Sequence, residues 1–334
     1  MHLRVAIFGA SGFVGGELLR LLDLHPQLKP ARVFADSAAG SAVSSVHPHL
    51  ALAYPGALLE RYEEGLLDGI DLVFAALPHG HSQEIALAIV ERGIAFVDLG
   101  ADFRLRDPAA YRTWYGEEHR APELLGRFVY GIPELHREAI AASRCVAAAG
   151  CYPTATILTL KPLMDLIEPG SIVVDASSGV SGAGKGLKEA THFNSVAESM
   201  TAYGLVNHRH TAEMEASLSG QVLFTPHLAP MNRGILATCY GVARGPCDPL
   251  AALRNAYVGE PFVHVTDLAP ATKWTLGSNA VQITARYDER TGRILAISAL
   301  DNLVKGAAGQ MIQCANLMLG LEETAGLPTC GVYP

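Results

Sequence analysis

The sequence predicts an α/β protein of two domains, and three observations support this prediction. The first half alternates strand-like apolar runs with helix-like runs. A glycine-rich turn, "GASGFVG" at residues 9–15, directly follows the first strand-like run. After about residue 150 the pattern changes to longer strands. With 334 residues, the chain is also long enough for two domains.

The first half has the pattern of a parallel sheet that is covered on both faces. Its strand-like runs are continuously apolar, which is typical of strands buried on both sides, and amphipathic helix-like runs separate them. In chain order the runs are "RVAIFGA", "GELLRLLDLH", "ARVFAD", "DLVFAALP", "SQEIALAIVERG" and "AFVDLG".

The second half predicts a mixed or antiparallel sheet. We expect a helix over residues 154–167, and then a strand, "SIVVDASSG", that runs into a loop. Three longer strand-like runs follow, and "DERTG" is a turn between the last two of them. These runs are "GILATCYGVAR", "NAVQITARYDE" and "RILAISALD", and the helix-like "LVKGAAGQMIQCANLMLG" comes after them.

Composition and charge narrow the class of protein. Hydrophobic residues make up 49% and charged residues 17%, as in a globular chain with a large core. The net charge of −8 and the lack of a long basic run argue against nucleic-acid binding. The sequence has no apolar run of membrane-spanning length and no signal-peptide pattern, so we expect a cytoplasmic protein without a membrane partner. Its six cysteines include no CxxC pair, and we expect no disulfides in that compartment.

The glycine-rich turn predicts a dinucleotide-binding site of the Rossmann type. Glycines allow a tight turn, and the N-terminus of the following helix offers amides to a pyrophosphate. The alternative is an ordinary tight turn between a strand and a helix. Asp36 lies about 20 residues further on, where an acid binds a ribose 2′-hydroxyl. The sequence has no Lys or Arg between Asp36 and Val46 to hold a 2′-phosphate, so this local pattern favours NAD.

Cys151 stands on a corner, "VAAAGCYP", where a small-residue run meets a helix-like run. A metal site lacks partner ligands nearby in the sequence, whereas a buried packing role is the usual one for a lone cysteine. A position near a helix N-terminus, which stabilises a thiolate, favours a nucleophile instead. In a dinucleotide-binding chain, such a thiolate indicates hydride transfer to or from a thioester.

A series of segments resembles, in the same order, the N-acetyl-gamma-glutamyl-phosphate reductases, the acyl-phosphate reductases of arginine biosynthesis. The resemblance runs from residue 5 to about residue 320. The segments are "GASGFVG", "AALPHG", "DLGADFRL", "GRFVYGIPEL", "AGCYPTATILTLKP", "SGVSGAGK", "NHRHTAE", "APMNRGIL" and "DNLVKGAAGQ".

The resemblance implies a fold of the semialdehyde dehydrogenase type and a specific reaction. Residues 1–150 and about 303–334 would form the Rossmann domain, and residues 151–302 a catalytic and oligomerisation domain. The reaction is NADPH-dependent reduction of N-acetyl-L-glutamyl 5-phosphate to the 5-semialdehyde and phosphate. Cys151 would carry a thioester, and His210 would be the general acid and base. A homotetramer or homodimer is expected.

The same resemblance implies which residues surround the substrate. An anionic substrate needs cations in fixed positions, and the candidates are Arg104, Lys185 and Arg209; each has the alternative of an ordinary solvated charge. Tyr203 is a candidate substrate contact, and Glu213 is a candidate to orient the catalytic histidine.

The resemblance also implies a set of cofactor contacts. They lie in the glycine-rich turn, after the second and third strands, in a second glycine-rich loop, "SSGVSGAGKG" at residues 177–186, and after the last long strand. They are Gly9, Ala10, Ser11, Gly12, Phe13, Val14, Gly15, Ser37, Leu77, Pro78, Ser181, Gly182 and Asn302.

Two histidine pairs, His79 with His81 and His208 with His210, have a spacing that suits a metal. No third ligand is evident, so we expect no metal.

The sequence departs from the family pattern at three places. Ala148-Ala149 replaces an Asn-Pro pair, Ala212 replaces a proline, and Asp36 stands where a basic residue is common. Three other functions remain alternatives. One is a reductase of carrier-protein-bound aminoadipyl or glutamyl phosphate in lysine biosynthesis. Aspartate-semialdehyde dehydrogenase fits the cysteine and histidine segments poorly, and a non-catalytic dinucleotide-binding regulator is the third.

Overall fold

The computed structural model describes residues 2–334, which form two compact units. The first unit contains the chain up to Ala149 and also Ala307–Leu327, and the second contains Gly150–Gly306 and Pro328–Pro334. The strands are β1 (Leu3–Phe8), β2 (Leu28–Phe34), β3 (Leu72–Ala75), β4 (Ala95–Asp98), β5 (Val129–Gly131), β6 (Cys145–Ala148), β7 (Ile172–Gly179), β8 (Thr201–Ala202), β9 (Val222–Ala229), β10 (Ile235–Val242), β11 (Val263–Val265), β12 (Val281–Asp288) and β13 (Arg293–Leu300). The helices are α1 (Phe13–Asp23), α2 (Val43–Val46), α3 (Ser82–Glu91), α4 (Pro108–Tyr115), α5 (Pro133–Ala141), α6 (Cys151–Leu160), α7 (Phe193–Val196), α8 (His210–Leu218), α9 (Pro249–Ala256) and α10 (Gly309–Met318).

The first unit is built on a six-stranded sheet in the order β2-β1-β3-β4-β6-β5. All of its strand pairs are parallel, which confirms the prediction. Strands β3, β4 and β6 are buried along their whole length, as their continuous apolar sequences require. Helix α10 packs against α5 and against β4 and β6. The strand order reverses between β1 and β3, and open parallel sheets bind ligands at such a point.

The second unit contains a seven-stranded mixed sheet in the order β11-β12-β13-β10-β7-β9-β8. Strand β10 pairs antiparallel with β13 and β7, whereas β7 and β9 are parallel, so the predicted mixed sheet is confirmed. The turn predicted at "DERTG" joins β12 to β13, with Gly292 at a φ of 65°.

Helix α6 differs from its predicted bounds. We expected a helix over residues 154–167, but α6 is Cys151–Leu160, and a 3₁₀ turn follows at Lys161–Leu166. Pro153 lies in the first turn, where its missing amide is not needed, so the helix extends back to Cys151. Pro162 cannot continue the α-helical hydrogen bonds, so the α-helix ends before it. Every residue from Tyr152 to Leu160 is buried, and α6 packs against β10 and β13.

Candidate active site

The glycine-rich turn, residues 9–15, joins β1 to α1 in the first unit. Gly9 has a φ of 74°, and a Cβ there would lie 2.3 Å from the Ala76 carbonyl oxygen at the end of β3. A Cβ at Gly15 would lie 2.4 Å from the Gly9 carbonyl oxygen, so neither position accepts a side chain. Among the described atoms, a Cβ at Gly12 would meet only the Gly9 oxygen, at 3.4 Å. The turn is therefore closely packed against backbone atoms at Gly9 and Gly15. It has free space at Gly12, at the N-terminus of α1, which suits a pyrophosphate.

An acidic and a basic side chain that are far apart in the sequence meet just beyond the end of β2. Asp36 and Ser37 follow this strand, and Arg61 Nη1 lies 3.1 Å from Asp36 Oδ1. Arg61 reaches this position because the preceding residue, Glu60, pairs in parallel with Phe34 of β2. Arg61 is not evident from the sequence, because it lies outside the loop that directly follows Asp36 and reaches it only through this pairing.

The predicted cofactor residues Leu77 and Pro78 lie just beyond β3 and lead into a cluster of polar and aromatic side chains. The His79 ring stacks on Tyr115 with 4.5 Å between the ring centroids. Its Nδ1 lies 3.1 Å from Asp102 Oδ1, and its Nε2 lies 3.1 Å from Glu117 Oε1. The cluster therefore surrounds one imidazole with two carboxylates at the ligand-binding edge of the sheet.

Two buried carboxyl groups titrate differently: Asp98 is the last residue of β4, and Asp102 lies in the segment that follows it. Burial, and then the charge of Asp102, raise the pKa of Asp98 to about 7. Burial also acts to raise the pKa of Asp102, but hydrogen bonds from His79 and the Gly80 amide outweigh it and bring that pKa below its ordinary value. Near neutral pH, Asp102 thus carries the charge while Asp98 is partly protonated. The sequence analysis did not identify this pair.

Cys151 is the first residue of α6, and Gly150 precedes it as the N-cap. The Gly150 amide donates a hydrogen bond of 3.0 Å to Glu213 Oε2. Glu213 belongs to α8 and is only 1% exposed. A Cβ on Gly306 would lie 2.8 Å from the Cys151 Cβ, so the backbone there passes directly beside the cysteine. The corner is thus fixed by a carboxylate on one side and a glycine backbone on the other.

The two histidines of "HRH" lie side by side at the start of α8. The backbone at Arg209 is helical and α8 begins at His210, so the segment is not extended. The His208 and His210 ring centroids are 4.8 Å apart, and the His210 amide donates to His208 Nδ1 over 3.2 Å. Glu213 Oε1 lies 3.9 Å from His210 Nε2. Burial, reinforced by the Arg209 charge, lowers the pKa of His208 to about 4, so His208 is neutral at pH 7.

Two tyrosines extend the same region of the second unit. Tyr203 donates a hydrogen bond to the Tyr152 hydroxyl over 3.2 Å, and Tyr152 donates to the His227 carbonyl oxygen over 3.0 Å. Burial raises the pKa of Tyr203 to about 12, and a negative charge on Cys151 adds to the increase. Both phenols are therefore neutral, and Tyr203 is 38% exposed, which leaves it able to contact a ligand.

The second glycine-rich loop meets the end of β13 through Asn302. Asn302 Nδ2 donates to Ser181 Oγ over 2.9 Å, and its Oδ1 accepts from the Gly234 amide over 2.7 Å. A Cβ on Gly182 would lie 2.8 Å from Ser178 Oγ. The structure thus brings Asn302 beside Gly182 and beside Ser181, which is 121 positions earlier in the sequence.

The three candidate cations lie in different surroundings. Arg104 is half-buried in the first unit, where its Nη2 donates to the Leu99 carbonyl oxygen over 2.6 Å. Lys185 and Arg209 are exposed in the second unit, Lys185 in the glycine-rich loop and Arg209 directly before α8.

Comparisons with known proteins identify the family. Residues 4–143 match the semialdehyde dehydrogenase NAD-binding domain, and residues 151–302 match the semialdehyde dehydrogenase dimerisation domain. The chain is 47% identical to the N-acetyl-gamma-glutamyl-phosphate reductase of Symbiobacterium thermophilum over 100% of both chains. It is 46% identical to that of Desulforudis audaxviator, over 99% of this chain and 100% of the relative. The chain belongs to the N-acetyl-gamma-glutamyl-phosphate reductase family. It is therefore an oxidoreductase, which confirms the resemblance seen in the sequence.

Solved structures show the same fold for this reductase family member. An aspartate semialdehyde dehydrogenase II of Vibrio cholerae, complexed with ASA, matches with a TM-score of 0.71 and 18% identity over 96% of this chain and 99% of that chain. An aspartate semialdehyde dehydrogenase of Candida albicans, solved with NADP, matches with a TM-score of 0.72 and 14% identity over the same shares of both chains. The predicted fold class is confirmed.

Two features are absent from residues 2–334. No cluster of three or more His, Cys, Asp or Glu side chains in that range is arranged to hold a metal ion. Within the same range, no helix has both the length and the apolar character needed to cross a membrane.

Proposed function

We propose that this chain reduces N-acetyl-L-glutamyl 5-phosphate to N-acetyl-L-glutamate 5-semialdehyde and phosphate, with NADPH as the hydride donor, in arginine biosynthesis. The observation that carries the proposal is the position of Cys151 at the first residue of α6, beside the Gly306 backbone. Glu213 links this corner to α8, because it accepts from the Gly150 amide and lies 3.9 Å from His210 Nε2. Family membership supports the same substrate, because the curated relatives carry the name of this reaction.

Cys151 acts as the nucleophile. Its thiolate, favoured by the N-terminus of α6, attacks the acyl carbon. The bond from that carbon to the phosphate oxygen breaks, phosphate leaves with the electron pair, and a thioester remains on Cys151. When bound, the nicotinamide cofactor supplies the hydride that reduces this carbon. Cys151 then leaves as a thiolate when the carbon–sulfur bond breaks, and the aldehyde is released.

His210, rather than His208, handles the proton. His208 is neutral at pH 7 because its pKa is about 4, and its Nδ1 accepts from the His210 amide, so it fixes the backbone. His210 can donate a proton to the carbonyl oxygen as the carbon becomes tetrahedral and take it back on collapse. Glu213, whose Oε1 lies 3.9 Å from His210 Nε2, limits the orientation of the ring.

The remaining candidates bind the substrate and the cofactor. Arg104, Lys185 and Arg209 supply positive charge for the phosphate and the carboxylate, and Tyr203 offers a neutral hydroxyl. The glycine-rich turn holds the pyrophosphate, with Ser37, Leu77 and Pro78 as further contacts. Ser181, Gly182 and Asn302, which lie together, complete the set.

The chain organisation is proposed on the same basis. Residues 1–150 with about 303–334 form the proposed cofactor domain, and residues 151–302 the proposed catalytic domain. The compact units differ from this division chiefly at residues 303–306 and 328–334, which belong to the second unit. The match to a dimerisation domain supports a homodimer or homotetramer, and we place the enzyme in the cytoplasm with no metal cofactor.

The reverse assay tests the proposal directly. Purified protein should reduce NADP⁺ with N-acetyl-glutamate semialdehyde only when phosphate is present. Cys151→Ser should lower kcat on the order of 10⁴-fold or more, as loss of a nucleophile does in other enzymes. Cys330→Ser is the matched control, because Cys330 is exposed and lies outside the proposed site.

Two results would contradict the proposal. The first is near-normal turnover by Cys151→Ser. The second is a wild-type protein that binds dinucleotide but does not reduce the free acyl phosphate and does not use the semialdehyde in the reverse direction. Activity only with a carrier-bound acyl phosphate would assign the protein to the lysine-biosynthesis alternative.

A further inference from the structure

The Asp36–Arg61 pair is positioned to decide which nicotinamide dinucleotide is bound. Asp36 follows β2 directly, where a carboxylate accepts a hydrogen bond from the adenosine ribose 2′-hydroxyl in NAD-binding domains. The Asp36 side chain is 92% exposed and that of Arg61 is 70% exposed, so both are accessible to a ligand. A carboxylate alone at this point repels a 2′-phosphate, which would exclude NADP.

Arg61 offsets the repulsion between the Asp36 carboxylate and a 2′-phosphate. Its guanidinium, 3.1 Å from Asp36, cancels the charge of the carboxylate. A guanidinium carries five N–H donors in a rigid fork that matches phosphate geometry. The contact with Asp36 engages Nη1 and holds the fork beside the carboxylate.

Backbone pairing fixes the base of this arrangement. The Glu60 amide donates to the Val33 carbonyl oxygen over 2.8 Å, and the Ala35 amide donates to the Glu60 carbonyl oxygen over 2.9 Å. Residue 61 is therefore held beside the end of β2, although a long segment separates the two in sequence.

We propose that Arg61 binds the 2′-phosphate of NADP(H), with Asp36 orienting its guanidinium. This inference rests on the proposed function, since it names the cofactor of that reaction. It assigns the selectivity to a residue outside the loop that follows β2. Asp36 retains its affinity for a 2′-hydroxyl, so the discrimination against NADH is moderate.

Calorimetric titration with two fragments, 2′,5′-ADP and 5′-ADP, tests the proposal without turnover. Wild type should bind 2′,5′-ADP more tightly. Arg61→Ala should weaken 2′,5′-ADP about 10-fold, the effect of one exposed charge-assisted contact, and leave 5′-ADP within about 2-fold. Asp36→Asn should weaken 5′-ADP and widen the preference for 2′,5′-ADP. Raising the salt concentration should shrink the effect of Arg61.

Arg32→Ala is the matched control. Arg32 lies on β2 and forms an ion pair of 2.9 Å with Glu60, the residue that precedes Arg61. The Arg32→Ala substitution therefore removes a nearby positive charge of the same kind. It should leave the ratio of the two affinities unchanged. An Arg61→Ala variant with the wild-type ratio, or a wild type that prefers 5′-ADP, overturns the proposal. Neither result bears on Cys151 chemistry, and failure of the reductase assay leaves the fragment titration intact.

Discussion

The chain contains two corners that share one backbone plan and differ in what surrounds them. In each, a buried parallel strand, β1 or β6, is followed by a glycine N-cap and a helix. The N-cap φ and ψ angles are −79° and 173° at Gly12, and −65° and 157° at Gly150. At Gly12 the amide donates within the turn itself, to the Gly9 carbonyl oxygen over 3.1 Å, and a Cβ there would have free space beyond that oxygen. At Gly150 the amide is bonded to the buried Glu213 of another helix, α8.

The difference shows how one local structure serves two kinds of chemistry. A helix N-terminus stabilises negative charge close to its first turn. Where glycines leave that end open, it can bind the phosphates of a ligand that comes and goes. Where a carboxylate of the same chain occupies an amide, the corner becomes rigid, and the helix presents a side chain, Cys151, instead of its backbone. Variants that fill the open corner or empty the closed one test this distinction.

The largest effect is expected from filling the open corner with Gly15→Ala. The new Cβ would lie 2.4 Å from the Gly9 carbonyl oxygen and 2.6 Å from the Ala10 Cα, both backbone atoms that cannot move independently. The turn must distort, so dinucleotide affinity should fall at least about 100-fold, equivalent to about 3 kcal/mol. Calorimetric titration with the dinucleotide measures this loss.

Gly65→Ala is the control for the first corner, because no heavy atom of the described structure lies within 4 Å of a Cβ built there. It should bind normally. If Gly15→Ala also binds normally, the turn does not need to be tight, and the contrast between the two corners fails. Far-ultraviolet circular dichroism separates a distorted turn from an unfolded chain.

A smaller effect is expected from removing the Glu213 carboxylate at the Gly150 corner. Glu213→Ala leaves the buried Gly150 amide without its acceptor, which costs about 1–3 kcal/mol in the free energy of unfolding. Because the same change loosens Cys151 and His210, kcat should fall about 10- to 100-fold. Glu213→Gln keeps an oxygen acceptor, so it should recover most of the stability but less of the rate, since the charge near His210 is lost. Equal rates for both variants would show that Glu213 acts only through packing.

Particular residues show how far the sequence alone could go. The parallel sheet, the glycine-rich turn and the Cys151 corner were predictable because each depends on neighbouring residues and a short-range pattern. Arg61 was not, because its position depends on a segment that pairs with β2 from a distance in sequence. The start of α6 was placed three residues late because a fully buried helix lacks amphipathic periodicity, and Pro153 resembles a boundary when it is a tolerated first-turn residue.

The histidine segment is a second case in which the fold decides what the local sequence does not. The two imidazoles lie 4.8 Å apart between ring centroids, and α8 begins at His210. Nothing in "HRHTAE" distinguishes the two rings, whereas burial in the fold makes His208 neutral at pH 7.

The smallest effect is expected from His208→Gln, which tests whether the second ring takes part in proton transfer. His208 has a pKa of about 4 in the folded protein, below the ordinary value of 6.5, because it is buried next to Arg209. It is therefore neutral over the range in which the enzyme works. Replacing it should lower kcat less than about 10-fold and leave the shape of the pH–rate profile unchanged, whereas His210→Asn should remove the ionisation from the profile.

Stability gives an independent readout of the same ring. The unfolded chain binds a proton to His208 below pH 6.5 and the folded chain does not until about pH 4, so the stability present above pH 6.5 is lost as the pH falls between these values. By pH 5 the loss amounts to about 2 kcal/mol. His208→Gln should remove this part of the acid sensitivity in urea unfolding measured at pH 7 and pH 5. An unchanged acid sensitivity would mean that burial does not lower the pKa of His208. A pH–rate profile altered by His208→Gln would mean that both imidazoles take part in proton transfer.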